Sequence, residues 1–177
     1  MDWPDTYKML AESRPDAATL RIAEDQLEKE VREEEDNWGP MIERYLHAAN
    51  ISVPAAWCAA FVNWCAEEAY GLAGLSSPLE QVPQQALVQS YYRWGKDNDR
   101  LITDPSQVGL GHLFLLYFPR KGRYAHMGFV RDPNPTGNHE EFSTVEGNTN
   151  EGGSREGYKV ASRIRPYNDR YVFIDWD

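Results

Sequence analysis

The spacing of apolar residues changes from a helical to a strand period about halfway along the chain. Up to residue 94, apolar residues recur every three or four positions, which is the period of amphipathic helices. From Leu113 onwards, short apolar and aromatic stretches are separated by turns rich in Gly, Pro and Asn, which is typical of strands. Helices followed by strands predict an α+β fold, in which N-terminal helices pack on a C-terminal antiparallel sheet.

The same patterns give approximate limits for each element. We expect an irregular start over 1–15, then helices over 16–34, 40–49, 58–70 and 84–94. Gly71 is expected to end the third helix as its C′ residue. The predicted strands are 113–118, 124–130, 142–146, 158–165 and 171–174. In the helix over 16–34, one apolar stripe predicts packing on the rest of the chain through Leu20, Ala23, Leu27 and Val31.

Length and charge exclude several classes of protein. The 177 residues suit one domain with a sizeable core, and a net charge of −10 argues against nucleic acid as a partner. Residues 1–36 carry 12 acidic and 5 basic residues, so we expect an acidic N-terminal segment with a helix, followed by the main domain over 37–177. No apolar run approaches the roughly 20 residues of a membrane helix, and we expect no membrane insertion.

Cys58 is the residue that points most directly to chemistry. Pro54 and Trp57 precede it and a clean helical pattern follows, which places its thiol at a helix N-terminus. The helix dipole and the free backbone N–H groups favour the thiolate at this position. Cys65 lies about 10.5 Å further along the same helix, beyond the reach of a disulfide, and is expected to be a small buried residue.

A histidine and a carboxylate on the predicted strands supply a base and an orienting group for this nucleophile. Strand alternation places His126 on the same face as Tyr124 and Gly128, and the small residues Ala125 and Gly128 that flank it leave room near the ring. Glu146 ends the next predicted strand and could hold the far nitrogen of His126. A lone His is usually a core residue and a lone strand-end Glu is usually solvated, but both follow Cys58 here, and the set indicates a cysteine hydrolase.

Metal binding is the competing interpretation of these residue types. Cys58 and Cys65 lack the spacing of zinc ligands and no His-Glu-x-x-His pair exists, so we expect no metal and no cofactor. Asn148 could share the orienting role or donate to a substrate. Trp57 and Trp38 could form a wall of the cleft, although burial of both for structural reasons is an equally good interpretation.

Four motifs follow one another along the chain: Asn37-Trp38-Gly39-Pro40, Trp57-Cys58-Ala59-Ala60-Phe61-Val62, His126-Met127-Gly128-Phe129-Val130 and Glu146-Gly147-Asn148-Thr149. In this order and at these separations, they resemble the motifs of the CHAP and NlpC-type cysteine amidases, papain-like enzymes that mostly cut peptidoglycan peptides. The resemblance covers roughly residues 33–174. It implies a papain-like fold with Cys58 as nucleophile, His126 as base, Glu146 as orienting residue and Asn148 as a supporting polar group.

One position departs from the pattern of this family. Family members usually have Gly-Asp at the start of the first central strand, whereas this chain has Gly111-His112. His112 could provide a structural hydrogen bond or alter the charge near the site. The implied reaction is attack of Cys58 on an amide carbonyl, protonation of the leaving amine by His126 and release of the acyl-enzyme by water. The backbone N–H of Cys58 would be one oxyanion donor.

The resemblance implies a substrate in the peptide stem of peptidoglycan. The N-terminus lacks the basic and apolar regions of a secretory signal peptide, so we expect synthesis in the cytoplasm without that signal and action in the periplasm or wall of a target cell. Two routes fit: injection as an antibacterial effector, with an immunity protein as a possible partner, or phage-induced lysis. The alternatives are an intracellular amidase of a small peptide conjugate, as in glutathionylspermidine amidases, and a catalytically inactive binding module.

Overall fold

The computed structural model describes residues 1–149 and 157–177 and has the predicted α+β class. Its α-helices are α1 (Asp5–Ser13), α2 (Pro15–Glu28), α3 (Pro40–Ala48), α4 (Cys58–Leu72) and α5 (Val88–Asp97). Its strands are β1 (Leu101–Ile102), β2 (Leu113–Phe118), β3 (Arg123–Asp132), β4 (Glu141–Thr149), β5 (Lys159–Pro166) and β6 (Tyr171–Ile174). The five predicted strands are therefore confirmed, and β1 is a short addition.

The strands form a single antiparallel sheet in the order β1-β6-β2-β3-β4-β5. Strand β3 lies between β2 and β4, with Phe129 opposite Leu113 on one side and Val145 on the other. The consecutive strands β2 to β5 are neighbours, as antiparallel strands joined by short connections usually are. Strands β3 and β4, which carry His126 and Glu146, are therefore adjacent.

The two faces of the sheet have different surroundings. One face packs against the helices, and the main core includes Leu113, Leu115, Met127, Phe129 and Val145 from the sheet. Helix α4 is the central helix of this core, because its residues are buried almost all round. The opposite face carries a smaller, mostly aromatic cluster formed by Val108, Phe114, Val130, Phe142 and Phe173. Alternation along each strand assigns successive side chains to one cluster or the other.

The N-terminus is helical, so the prediction of an irregular start over 1–15 was wrong. Helix α1 follows Pro4, a residue that readily precedes a first helical turn, and it buries Tyr7 and Ala11. Nε1 of Trp3 donates to the carboxylate of Glu68 in α4 at 2.6 Å. With nine residues, α1 is too short to show a clear apolar period, and tertiary contacts stabilise it.

Helix α2 ends at Glu28, six residues earlier than predicted. Glu30 turns the chain with a φ of 52°, and the following residues run beside β5. The N–H of Val160 donates to the carbonyl of Val31 at 2.9 Å, and the N–H of Glu33 donates to the carbonyl of Tyr158 at 2.8 Å. The acidic N-terminal segment thus extends the edge of the sheet.

The buried side of α2 differs from the predicted apolar stripe. Its fully buried residues are Ala18, Thr19, Ile22, Ala23 and Gln26. Leu20, Leu27 and Val31 pack against the core but remain half-buried. Gln26 is buried because its amide oxygen accepts a 2.7 Å hydrogen bond from the hydroxyl of Tyr45.

Two helix limits also differ from expectation. Helix α4 continues through Gly71, and Gly74, at a φ of 69°, is the glycine that adopts the left-handed conformation after it. The prediction that Gly71 is the C′ residue was therefore wrong. Helix α5 begins at Val88, since 84–87 forms a turn. None of the helices in the described part of the chain is long and apolar enough to cross a membrane.

Candidate active site

Cys58 is the first residue of α4, directly after Trp57 at the N-cap position. The carbonyl of Trp57 accepts the first bond of the helix, from the N–H of Phe61 at 2.8 Å, whereas the N–H of Cys58 has no acceptor within the helix. Cys58 is 6% exposed, and Cys65 is fully buried; both thiols are free. Burial raises the pKa of Cys65 well above its usual value, so the two cysteines have different surroundings.

A β-bulge in β3 separates His126 from Tyr124. His126 lies opposite Leu116, but the next pair along the strands is Tyr124 with Tyr117, so Ala125 is an extra residue. The bulge turns Tyr124 to the helical face, where its ring stacks on Tyr92 of α5 at 4.6 Å. The prediction that Tyr124 and His126 share a face was therefore wrong, because simple alternation does not survive an inserted residue.

The structure brings Cys58, His126 and Glu146 together. Nε2 of His126 lies 2.7 Å from Oε2 of Glu146, and since a carboxylate only accepts, Nε2 carries the proton. The other ring nitrogen, Nδ1, is therefore the one available to form a hydrogen bond with Sγ of Cys58. Burial lowers the pKa of His126, but the hydrogen bonds with Cys58 and Glu146 outweigh it and raise the pKa to about 9. The imidazole is therefore mostly charged at neutral pH.

Glu146 is a fully buried carboxylate with a complete set of donors. The hydroxyl of Thr144 donates to Oε1 at 2.5 Å. Arg165 donates to both oxygens in a bidentate contact, with Nε 2.5 Å from Oε1 and Nη2 2.6 Å from Oε2. Burial raises the pKa of Glu146, but the bonds from Arg165 and His126 outweigh it and hold the pKa well below its usual range. Glu146 thus stays ionised beside the imidazole.

Arg165 is a site residue that the sequence analysis missed. Its guanidinium also lies over the ring of Phe114, at 5.2 Å from the centroid, and donates to the hydroxyl of Tyr171 at 3.3 Å. The available signal was chemical: a strand Glu that is buried needs a cation. The register of β4 and β5 pairs Arg165 with Phe142 rather than with Glu146, so the ion pair runs diagonally and strand spacing alone does not reveal it.

Gly128 allows Glu146 to reach the imidazole. A Cβ at Gly128 would lie 2.6 Å from the carbonyl oxygen of Val145, 3.0 Å from the ring of Phe114 and 3.1 Å from Cγ of Glu146. These distances are below ordinary contact, so a side chain there would displace the carboxylate or its strand.

Trp57 and Asn148 lie around a different carboxylate, that of Glu33. Trp57 is fully buried and donates from Nε1 to Oε1 of Glu33 at 2.7 Å. Nδ2 of Asn148 lies 3.2 Å from each of three acceptors, in Glu33, Asn37 and Gly157. Trp57 therefore presents no surface to a ligand, and the Asn148 amide is engaged outside the Cys58, His126 and Glu146 set.

His112 has the structural role that was one of its two expected options. Its Nδ1 accepts a hydrogen bond from the N–H of Gly109 at 3.0 Å, and Nε2 lies 3.8 Å from the carboxylate of Asp175. Burial lowers the pKa of His112, and Asp175 partly opposes this effect. The neutral ring suits an acceptor nitrogen, and the bond fixes the turn that precedes β2.

The described residues contain no cluster of three or more His, Cys, Asp or Glu side chains placed to hold a metal ion. No protein-family model, curated protein or solved structure matches the chain. The function is therefore argued from the geometry of the site and from the sequence motifs.

Proposed function

We propose that the protein is a papain-like cysteine amidase or peptidase of the CHAP and NlpC kind, and that it hydrolyses amide bonds in the peptide stems of peptidoglycan. One observation carries the proposal. The imidazole of His126 has the Cys58 thiol as one partner and the Glu146 carboxylate as the other, which is the order of nucleophile, base and orienting group.

The proposed reaction has two stages, acylation of Cys58 and hydrolysis of the resulting thioester. The Sγ thiolate of Cys58 forms a bond to the amide carbonyl carbon, and the backbone N–H of Cys58 donates to the developing oxyanion. The C–N bond then breaks as the imidazolium of His126 gives its proton to the leaving nitrogen. Neutral His126 next takes a proton from water, the hydroxide attacks the thioester, and the C–S bond breaks to release the acid and restore the thiolate.

Glu146 and Arg165 support this cycle through the imidazole. The bidentate contact with Arg165 fixes the carboxylate, and the carboxylate fixes the ring and stabilises its charged form. The carboxylate takes no part in bond making. A proton moved to it would neutralise the negative charge with which both the imidazolium of His126 and the guanidinium of Arg165 are paired. This division of roles is the one found for carboxylates in nucleophile–base–acid triads.

The choice of peptidoglycan rests on the family resemblance of the four motifs. Peptidoglycan lies outside the inner membrane, so the proposed place of action is the periplasm or cell wall of a target cell. Delivery as an injected antibacterial effector, with an immunity protein as its counterpart in the producing cell, is the proposed route. Phage-induced lysis is the second route.

Expression in two compartments of a Gram-negative host tests the proposal. Because cutting peptide cross-links weakens the wall against turgor, the chain fused to a periplasmic signal peptide should cause rounding and lysis. The same chain made in the cytoplasm should be harmless, and periplasmic Cys58→Ala is the control that keeps the fold and removes the nucleophile. Equal toxicity from the cytoplasm would indicate an intracellular amide substrate. Toxicity of the periplasmic control would indicate a binding mechanism and contradict the enzyme proposal.

A further inference from the structure

The carboxylate of Glu33 joins three segments of the chain beside the candidate site. Its Oε1 accepts from the indole Nε1 of Trp57 at 2.7 Å and from the amide Nδ2 of Asn148 at 3.2 Å. Its Oε2 accepts from the backbone N–H of Asn37 at 2.8 Å. The donors come from the residue before α4, from the end of β4 and from the turn before α3, so one side chain fixes their relative positions.

Trp57 connects Glu33 to the nucleophile. It is the residue directly before Cys58, and its indole is fully buried against Tyr45 and Phe61, at centroid distances of 5.6 and 6.4 Å. An apolar pocket of this kind holds the ring but leaves its N–H in need of an acceptor. Glu33 supplies that acceptor and so fixes the orientation of the ring. Because Trp57 is the N-cap residue of α4, this orientation also fixes the backbone at the start of the helix.

Asn148 connects Glu33 to the orienting carboxylate. It lies two residues after Glu146 and has a φ of 53°, a left-handed value that Asn adopts more often than most other non-glycine residues. The bond from its amide to Glu33 holds it at the end of β4. Glu33 therefore contacts Trp57, directly before the nucleophile, and Asn148, two residues after the carboxylate that orients the base.

We propose that Glu33 is a positioning residue for the Cys58 and His126 pair, acting through Trp57 and Asn148. The inference rests on the proposed function for its catalytic consequence, but not for its effect on the thiol itself. A carboxylate suits the position because its two oxygens accept from all three donors. A glutamine would direct an NH2 group at one of them and leave an indole or backbone N–H unsatisfied.

Glu33→Gln tests this inference, with Glu34→Gln as the matched control because it makes the same charge change at an exposed neighbour. Two rates are measured: alkylation of Cys58 by iodoacetamide at neutral pH, followed by peptide mapping, and hydrolysis of peptidoglycan fragments. A displacement of reacting groups by a fraction of an ångström to 1 Å costs on the order of tenfold to a hundredfold. We expect Glu33→Gln to lower kcat and the alkylation rate by at least about tenfold with KM little changed, and Glu34→Gln to match the wild type.

A second variant covers the case in which Glu33→Gln does not fold. Trp57→Phe removes the indole N–H and keeps an aromatic ring, and it should slow alkylation of Cys58 in the same direction. When both variants fold, the double variant should be scarcely slower than Glu33→Gln alone, because the two changes break the same contact. Wild-type alkylation rates in folded Glu33→Gln or in folded Trp57→Phe would overturn the inference.

The two rates separate failure of this inference from failure of the proposed function. If wild-type Cys58 is alkylated rapidly but no peptidoglycan fragment is cut, the substrate proposal is wrong, and the alkylation rates of the variants still decide the role of Glu33. If the fragments are cut and Glu33→Gln cuts them at the wild-type rate, the inference is wrong and the function stands.

Discussion

At the scale of single residues, the site is a compact group of charges that balance one another. Glu146 and a Cys58 thiolate would supply two negative charges, and Arg165 and a protonated His126 would supply two positive ones. Buried charges are tolerated when each has a partner and its remaining hydrogen-bonding capacity is used, as is seen for Glu146 with its four donors. Arg165 therefore allows a fully ionised carboxylate to lie beside the base.

The charge balance predicts the pH dependence of activity. The pKa of His126 is raised to about 9, so the imidazolium is present below that value and is lost as pH rises through it. We expect kcat/KM to fall with a midpoint near pH 9. Glu146→Gln removes the carboxylate that raises this pKa and leaves the Arg165 charge, so the falling limb should move to lower pH. Glu34→Gln is the control, and an unshifted limb in Glu146→Gln would contradict the role of Glu146.

At the scale of secondary-structure elements, the contact between α4 and β4 sets the distance from the nucleophile to its orienting group. Gly147 is the point of closest approach, because a Cβ there would lie 2.6 Å from Cζ3 of Trp57 and 2.8 Å from Cβ of Phe61. Gly147 alternates with Glu146, so the same strand packs on α4 with one face and holds the carboxylate on the other.

Substitution of Gly147 tests this contact. Gly147→Ala should destabilise the protein by about 1–3 kcal/mol, because the added methyl pushes β4 away from α4. Gly71→Ala is the matched control, since a Cβ added at Gly71 in α4 would meet no atom within 4 Å. Helix propensity favours Ala there by up to about 1 kcal/mol. Urea unfolding measures both. A Gly147→Ala protein as stable as the wild type would contradict the close packing.

The sequence predicts the elements better than their details. The strands are confirmed because short apolar and aromatic runs between turn residues are a local signal, as in β2, where all six residues are apolar or aromatic. The bulge at Ala125 and the diagonal contact of Arg165 with Glu146 depend on strand register, which no local pattern encodes. Cys58, His126 and Glu146 could be selected as candidates because each lies in one of the four sequence motifs, whereas Glu33 lies within an acidic run and has no distinguishing signal.

At the scale of the whole molecule, the acidic N-terminal segment is part of the packed structure. Helices α1 and α2 both contact α4, and Ile22 of α2 is fully buried. Beyond α2, Val31 and Glu33 bond to the backbone beside β5. The segment therefore covers the helix that begins at Cys58, while most of its charges face solvent.

Deletion of residues 1–30 tests this arrangement and leaves Glu33 in place. The truncation should expose the apolar side of α4 and lower Tm by roughly 5 °C or more, since each kcal/mol corresponds to about 2–4 °C in a chain of this size. Calorimetry or circular dichroism measures the change. An unchanged Tm would show that the first 30 residues are a detachable tail.

Mass spectrometry of purified muropeptides after incubation with the protein tests the central claim most directly. The wild type should convert cross-linked or stem-peptide species into pairs of fragments whose masses sum to the parent plus one water, and the new termini identify the amide bond that was cut. Cys58→Ala, His126→Ala and heat-inactivated protein should leave the spectrum unchanged. A wild-type spectrum that matches that of Cys58→Ala, under conditions in which the wild-type thiol is alkylated rapidly, would contradict peptidoglycan as the substrate.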